Sequence, residues 1–157
     1  MLRMPRGQSS KQAAQVWQLV VFSIGGTRLA ARAEEVGGVW PWPNAMPVPS
    51  TTPFVSAVLR HGEELLPVYD LAGRLSRSVV GVSPLCLIAK RQDGPMAICI
   101  DDAIPSLVQV EPSQVRPHPD AYPDLVGVCQ VGSEDVPVYS LTSLGLFTRP
   151  APQDAQT

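Results

Sequence analysis

The chain has 157 residues, of which 45% are apolar, and a formal net charge of −2. This length and apolar content allow one packed domain, or two small subdomains that share a core. The charge argues against the basic face of a nucleic-acid-binding protein. No apolar run reaches the roughly 18 residues of a membrane-spanning helix.

Polar segments without periodicity lie at both ends of the chain. Residues 1–15 and 150–157 are therefore predicted to be flexible tails around a folded domain at 16–149. Residues 1–15 also lack the apolar stretch of a secretory signal, and the three cysteines lie in apolar runs without CxxC spacing. Reduced thiols in a cytoplasmic protein fit both observations.

Short strands dominate the first third of the chain, where the many prolines argue against long helices. The apolar run 19–24 closes at Gly25-Gly26, a hairpin-turn pair, and 27–31 is predicted to return antiparallel. One helical turn at 33–36 precedes a third strand over 36–42. The prolines that follow, up to Pro53, predict an extended loop without regular structure.

Three further pairs of strands joined by turns, and two short helices, are predicted in the rest of the chain. Asp70 is expected to cap a short helix that ends at Leu75. The expected strands are 54–60 and 64–69, 84–90 and 96–100, 104–110, and 125–131 and 136–139. The expected connections are turns at 61–63, 92–94 and 111–114, a proline-rich loop at 117–124 and a helix at 141–146.

An internal repeat joins these elements. Residues 55–71 reappear at 125–141 without a gap, with seven of seventeen positions identical, and a weaker echo pairs Leu19 with Leu87. Two copies are too few for a solenoid, so two similar units packed on each other are predicted. With about five short strands each, these units are expected to be small β-barrels formed by residues 17–78 and 82–147.

Catalytic chemistry is not evident. His61 and His118 lack a Cys, Asp or second His at ligand spacing, so no metal site is predicted. Asp101 and Asp102 are neighbours, which point to opposite faces of a strand and make a poor acid/base pair. They are predicted to lie at a solvated strand end. No hydrolase elbow, P-loop or dinucleotide-binding glycine motif occurs. We predict no catalytic residue and no cofactor, and expect that the protein is not an enzyme.

Surface residues offer the remaining signal. Trp40 and Trp42 are two positions apart, so in extended backbone their rings point the same way. They either cover the end of the first barrel or form an exposed aromatic anchor for a partner. Arg60, on the predicted hairpin, is either a solvated charge or an interface contact.

Several segments between residues 17 and 147 resemble the CheW family of bacterial chemotaxis adaptors. In order, they are LVVFSIGGTRLAA, EEVGGVW, the proline loop ending in PFVSAV, LLPVYDLAGRL, ICIDDAIPSLVQVEPSQVRPHP and LVGVCQVGSEDVPVYSLTSLGL. No single segment is diagnostic, but their order and spacing together are fairly specific. The resemblance implies an all-β fold of two tandem five-stranded SH3-like β-barrels with short helices.

The resemblance also implies a non-enzymatic coupler with two partners and no cofactor. One surface would bind the regulatory domain of a CheA-type histidine kinase, which has the same fold. A groove near the junction of the barrels would bind the cytoplasmic hairpin tip of a chemoreceptor. Such a protein is cytoplasmic, without membrane insertion of its own, and is recruited to membrane-associated receptor arrays.

One hairpin departs from the family pattern. The family usually has Asn-Leu-Arg-Gly at this turn, and the gapless count from Phe54 to Pro67 puts its arginine on Gly62. That arginine is associated with receptor and kinase coupling. Arg60 lies two residues away and is expected to point to the same side of the strand, so we predict that it is a partial replacement.

In the same register, Val36, Gly38 and Ala57 fall at positions that the family links to partner contacts. Each has a plainer interpretation as core or backbone packing. Together with Trp40, Trp42, Arg60 and Gly62, they are the predicted partner-binding residues.

The leading functional prediction is a scaffold that couples chemoreceptors to a CheA-type kinase. One alternative is a divergent CheW-like module with another partner in twitching motility, a second-messenger pathway or polar localisation. Another is a small β-barrel ligand-binding protein or enzyme that uses the inter-barrel groove. A polar pocket with His61 or Asp102 and a second titratable group would favour the latter, and a flat apolar groove the adaptor.

Overall fold

The structure is a computed structural model that describes residues 16–118 and 124–144. The predicted tails at 1–15 and 150–157 lie outside the described residues, as do most of the 117–124 loop and the end of the predicted 141–146 helix. Within the described ranges, no helix is long and apolar enough to cross a membrane.

Strands account for nearly all of the regular structure in the described residues, which confirms the predicted all-β class. The strands are β1 (Trp17–Ile24), β2 (Thr27–Arg32), β3 (Val36–Pro41), β4 (Met46–Pro47), β5 (Val55–His61), β6 (Glu64–Tyr69), β7 (Leu85–Ala89), β8 (Met96–Ile100), β9 (Ser106–Val110), β10 (Val115–Arg116), β11 (Leu125–Val131) and β12 (Glu134–Tyr139). Within residues 16–118 and 124–144, helical structure is limited to α1 (Leu71–Arg74) and 3-10 turns at Ala33–Glu35, Pro112–Gln114 and Leu141–Ser143.

The strands form two six-stranded sheets, each with five longer strands and one of two residues. Sheet A has the order β10-β11-β12-β2-β1-β9, and sheet B has the order β3-β7-β8-β6-β5-β4. Neighbours pair antiparallel except at one place in each sheet, where β12 runs parallel to β2 and β6 runs parallel to β8.

The two sheets do not follow the predicted halves 17–78 and 82–147. Sheet A combines the first hairpin, β1–β2, with strands β9 to β12 from the end of the chain. Sheet B combines β3 to β6 with the hairpin β7–β8. The two halves therefore exchange their first hairpins, because the parallel pairings bring each hairpin next to the repeated hairpin of the other half.

The described residues contain three apolar clusters, because several strands bury side chains on both faces of their sheet. Along β1, Leu19 and Val21 pack inside sheet A, whereas Phe22 and Ile24 pack in a larger cluster between the sheets. Strand β7 alternates in the same way, with Cys86 inside sheet B. Because successive side chains of a strand point to opposite faces, each central strand contributes to two cores at once.

Polar contacts fix the junction of the two sheets. The Arg74 guanidinium, at the end of α1, forms a two-pronged ion pair with the buried Asp124, just before β11. The carboxylate of Glu35 accepts a hydrogen bond from the Leu141 N–H at 2.8 Å. Asp101, only 2% exposed, accepts hydrogen bonds from the N–H groups of three residues in two other segments. These contacts connect segments that are far apart in the sequence.

Most local predictions are confirmed, including the Gly25-Gly26 turn, the turn before β3 and the Asp70 cap, whose carboxylate accepts the Gly73 N–H at 2.9 Å. Five need correction. The proline-rich segment contains a short strand, since Met46–Pro47 pairs with β5. The short strand β10 was not predicted, and β9 begins two residues later than predicted. Strand β12 begins two residues earlier than predicted, and the described part of the 141–146 helix is a single 3-10 turn.

Candidate functional site

The Trp40 ring lies on the backbone of Gly38, at the exposed edge of sheet B. A β-bulge between Val36 and Gly38 interrupts the pairing of β3 with β7. A Cβ atom at Gly38 would lie 2.2 Å from the Trp40 ring, so only glycine leaves room for the aromatic side chain. Gly38 is thus explained by the position of Trp40.

Trp40 also contacts the repeated hairpin of sheet B. Its ring meets that of His61 edge-on, with centroids 4.5 Å apart. Strands β3 and β5 lie near opposite edges of the sheet, so this contact curls sheet B towards a barrel. Trp40 remains 40% exposed. We call Gly38, Trp40, His61 and Gly62 the Trp40 surface.

The two tryptophans divide between the two predicted roles. Trp42 lies beyond the end of β3, where its backbone N–H donates to the Pro84 carbonyl at 3.0 Å. Its half-buried side chain packs against the core of sheet B together with Ala45 and Ala57. Trp42 therefore covers this core, whereas Trp40 is the exposed aromatic ring.

Gly62 lies in a two-residue turn between paired His61 and Glu64. Its φ of 64° is positive, and Glu63 is not among the residues with positive φ, a pattern typical of a type II′ hairpin. Glycine is the residue this position favours, and the space around its Cα is open. An arginine at position 62 would be strained in this turn. Arg60 is exposed, one residue before His61 on β5, and lies opposite Leu65.

Val36 and Ala57 lie away from the Trp40 surface and contact core residues. Val36 is half-buried opposite Ala89 and packs against the cluster between the sheets. Ala57 is half-buried between Val68 and Pro47 and packs against the core of sheet B. Their packing supplies a structural reason for both residues.

Sequence reasoning missed four exposed apolar side chains in the two segments around Asp102, residues 80–82 and 104–107. They are Val80, Val82, Ile104 and Leu107, and we call them together the Ile104 patch. Val82 is 96% exposed, Ile104 82% and Leu107 64%. The Val82 N–H donates to the Asp102 carboxylate, which holds the 80–82 segment beside the chain that leads to β9. The sequence signal was weak, because single apolar residues in short loops are common.

A cavity of about 550 Å³ lies between β6, the loop before β8 and Leu144. Its Arg91 pairs with Asp93 and also donates to the Leu144 carbonyl. Neither His61 nor Asp102 lines this cavity. Of its charged lining residues, Arg91 and Asp93 are engaged with each other, and this cavity is not the pocket with His61 or Asp102 that would favour an enzyme or ligand carrier.

Metal chemistry finds no support in the described residues, because they contain no group of three or more His, Cys, Asp or Glu side chains that could hold an ion. Asp101 and Asp102 each bind backbone N–H groups, so both carboxylates have structural roles. Burial raises the pKa of Glu35, and this carboxylate accepts the Leu141 N–H.

Comparisons with known proteins point in one direction. The family model described as CheW-like domain matches residues 18–144, most of the chain. Fifteen chains of solved structures are similar, among them the scaffolding protein TtCheW from Thermoanaerobacter tengcongensis. That match has a TM-score of 0.72 and 16% identity, and it covers 82% of this chain and 86% of the other. At this identity the likeness shows a shared fold. Curated protein sequences gave no match.

Proposed function

This chain belongs to the CheW-like domain family, and from that membership we propose that it is a non-enzymatic scaffold in bacterial chemosensory signalling. It would couple chemoreceptors to a CheA-type histidine kinase. It would be cytoplasmic, and its protein partners would recruit it to membrane-associated receptor arrays. It would neither bind nucleic acid nor insert into the membrane itself.

The observation that carries this proposal is the pair of exposed apolar regions on a rigid β-framework. Trp40 is held against Gly38 and His61, and the Ile104 patch is held beside Asp102. Exposed apolar and aromatic residues mark protein–protein surfaces, and rigid presentation lowers the entropy that binding costs. The carboxylates of Glu35, Asp101 and Asp124, by contrast, are engaged in internal contacts.

The kinase regulatory domain and the receptor tip would occupy different parts of this surface. We propose that Trp40 and Arg60 contact a partner directly. Gly38, Trp42 and Ala57 would support the Trp40 side through packing, and Val36 would do so at the boundary between the sheets. Many modest contacts of this kind are sufficient when proteins assemble into arrays, because multivalency multiplies weak affinities.

Arg60 is the proposed substitute for the arginine that Gly62 replaces. The guanidinium is exposed at the end of β5, near a turn whose geometry favours glycine at 62. A charge that moves from the turn to the adjacent strand can still reach the same partner, because arginine has a long side chain with a planar fork of donors.

The test is direct binding of the purified protein to the regulatory domain of a CheA-type kinase from the same cell. A receptor hairpin fragment is titrated separately. We expect micromolar binding to both, weakened about tenfold or more by Trp40→Ala, since truncated aromatic anchors cost at least about 1.4 kcal/mol. Arg60→Ala should also weaken binding. Gln130→Ala is the matched control, because Gln130 is the counterpart of Arg60 in the second repeat and is also exposed.

The turn at Gly62 also favours a second candidate, a divergent CheW-like module with another partner in twitching motility, a second-messenger pathway or polar localisation. Binding to neither the kinase domain nor the receptor fragment would exclude the coupler and favour this candidate. Arg60→Ala with unchanged binding to both would reject only the substitution of Arg60 for the missing arginine.

A further inference from the structure

Two of the three cysteines face each other across neighbouring strands of sheet B. Cys86 of β7 lies directly opposite Cys99 of β8 in an antiparallel pair, and both are free thiols. Directly opposite residues point to the same face of a sheet, with Cα atoms about 4.5 or 5.5 Å apart. Both separations lie within the roughly 4.4–6.8 Å that a disulfide requires.

The two thiols differ in access to solvent. Cys86 is buried in the core of sheet B, where Trp42 and Ala57 also pack, whereas Cys99 is half-buried. A soluble reagent therefore reaches Cys99 first, and Cys86 lies within reach of the sulfur that has reacted. This is the arrangement of an attacking and a resolving thiol.

Cys129 provides an internal comparison. It is buried in sheet A, where its neighbours across the sheet are Val115 and Val136. No described residue opposite it carries a thiol, so a bridge to Cys129 would require rearrangement of the sheets.

We propose that Cys86 and Cys99 form a dithiol site that small disulfides oxidise to a reversible cross-strand disulfide. In the first step, the Cys99 thiolate attacks one sulfur of the small disulfide and releases one thiol, which leaves a mixed disulfide. The Cys86 thiolate then attacks the Cys99 sulfur, closes the bridge and releases the second thiol. The protein loses two electrons and two protons, and the small disulfide gains them as two thiols.

The bridge would connect to the Trp40 surface. Trp40 of β3 lies opposite Cys86 on the other side of β7, so a change in the position of Cys86 is transmitted to the strand that carries the indole ring. The chemistry of the dithiol does not depend on what the Trp40 surface binds. The dithiol site and the proposed scaffold function can therefore be tested independently.

Reaction should be slow near neutral pH. Burial raises the pKa of Cys86 and of Cys99 to about 11, and nearby Asp70 and Asp101 add to the effect at Cys99. Only the thiolate attacks a disulfide, so the rate should increase roughly tenfold per pH unit between about pH 7 and 9.

The experiment treats the folded full chain with oxidised glutathione, then unfolds it in urea with excess iodoacetamide to block the remaining thiols, and maps the peptides by mass spectrometry. We expect a Cys86–Cys99 linked peptide and an alkylated Cys129, with all three thiols restored by dithiothreitol. Cys129→Ser should form the bridge at an unchanged rate. Cys99→Ser, at the half-buried position, should form no intramolecular bridge and should leave Cys86 reduced.

Several results would overturn the site. Alkylation of all three thiols after prolonged oxidation at pH 9, a bridge that includes Cys129, or disulfide-linked dimers as the main product would each contradict it. The same oxidation in urea serves as the unfolded reference. A Cys86–Cys99 bridge that forms there but not in the folded chain would also reject the proposal.

Discussion

The two copies of the repeat have the same backbone but different surfaces. In both, a bulge lies near the start of the first strand, at Val55 and at Leu125, and a turn glycine has a φ of 64°. Most of the identical positions are buried or lie in the turn, among them the tyrosine and leucine that end each copy. The shared residues therefore specify the fold, and the residues that differ between the copies lie mainly at surface positions that a binding partner could contact.

The divergence is clearest at one cross-strand pair. In the first copy, Arg60 lies opposite Leu65, and both are exposed. In the second copy, Gln130 lies opposite Asp135, which pairs with Arg116. The first hairpin thus presents a cation beside an apolar side chain, while the second presents polar side chains, one of which is already paired with Arg116. Binding specificity can change at such positions without cost to the fold.

The largest expected effect tests the shared core. Leu71 and Leu141 occupy equivalent positions and both are buried in the cluster between the sheets. Each Leu→Ala change should lower the free energy of unfolding by about 3–4 kcal/mol, because it removes buried methyl groups and leaves a cavity. Urea unfolding measures both, with the exposed Leu65→Ala as control at less than about 0.5 kcal/mol. A large difference between the two leucines would contradict a core shared equally by both copies.

The next effect concerns a contact that only one copy has. Asp124 precedes the second copy and binds Arg74, whereas the equivalent residue of the first copy is Phe54. Asp124→Ala should cost about 3 kcal/mol of unfolding free energy, because it leaves a mostly buried guanidinium without its carboxylate. Asp135→Ala, which breaks the exposed pair with Arg116, should cost less than about 1 kcal/mol. Equal costs for the two variants would show that the Arg74 contact does not hold the sheets together.

A smaller effect depends on pH and on how each copy caps the turn that follows it. Asp70 caps α1 locally, whereas Leu141 receives its cap from the distant Glu35. Burial is the main cause of the raised pKa of Glu35; the Leu141 N–H and Arg32 oppose it and Glu34 adds to it. The folded state therefore holds this proton more tightly than the unfolded state. Its contribution to stability is present below the usual carboxyl pKa and is lost as the pH rises through the raised value.

Glu35→Gln tests this dependence, because the amide oxygen can still accept the Leu141 N–H without carrying a charge. Relative to the wild type, the variant should gain unfolding free energy between pH 4 and pH 7, as measured by urea unfolding at both values. Asp70→Asn serves as the control at the other cap. A difference between wild type and Glu35→Gln that stays constant with pH would contradict the assigned cause.

The smallest effect on stability should come from a surface exchange. The double variant Arg60→Gln and Leu65→Asp gives the first hairpin the residues of the second. Its free energy of unfolding should change by less than about 0.5 kcal/mol, because both positions are exposed. If the scaffold proposal is correct, binding to a partner should weaken while the fold is unaffected. Unchanged affinity for kinase domain and receptor fragment would show that this pair does not contact either one.

The sequence was enough to predict most strands, turns and caps, but not the order in which the strands pair within the sheets. The repeat, the turn glycines and the Asp70 cap are encoded by neighbours within a few residues, so local patterns were enough to identify them. The exchange of hairpins between the halves depends on the parallel pairing of Val68 with Ala97 and of Val138 with Ala30. Such pairing has no local signature, because any apolar strand can occupy the centre of a sheet.

The candidate site was predicted in part for the same reason. Trp40 was predicted as a site residue because it is a tryptophan, and the structure shows that glycine at position 38 leaves room for its ring. The predicted solvated strand end is wrong for Asp101, which is buried because it binds N–H groups from the distant segments around Gly25 and Val80. The Ile104 patch was missed because exposure of single apolar residues is decided by tertiary packing.

The exchanged hairpins have a consequence for synthesis on the ribosome. Strands β1 and β2 emerge before every strand of sheet B, but their neighbours β9 and β12 emerge only after all of them. At about 5–20 residues per second, the first hairpin waits for several seconds with apolar faces that have no partner. Sheet B, whose strands are consecutive in the chain, can pair before sheet A is complete. The first hairpin is therefore the segment that most needs protection from aggregation during synthesis.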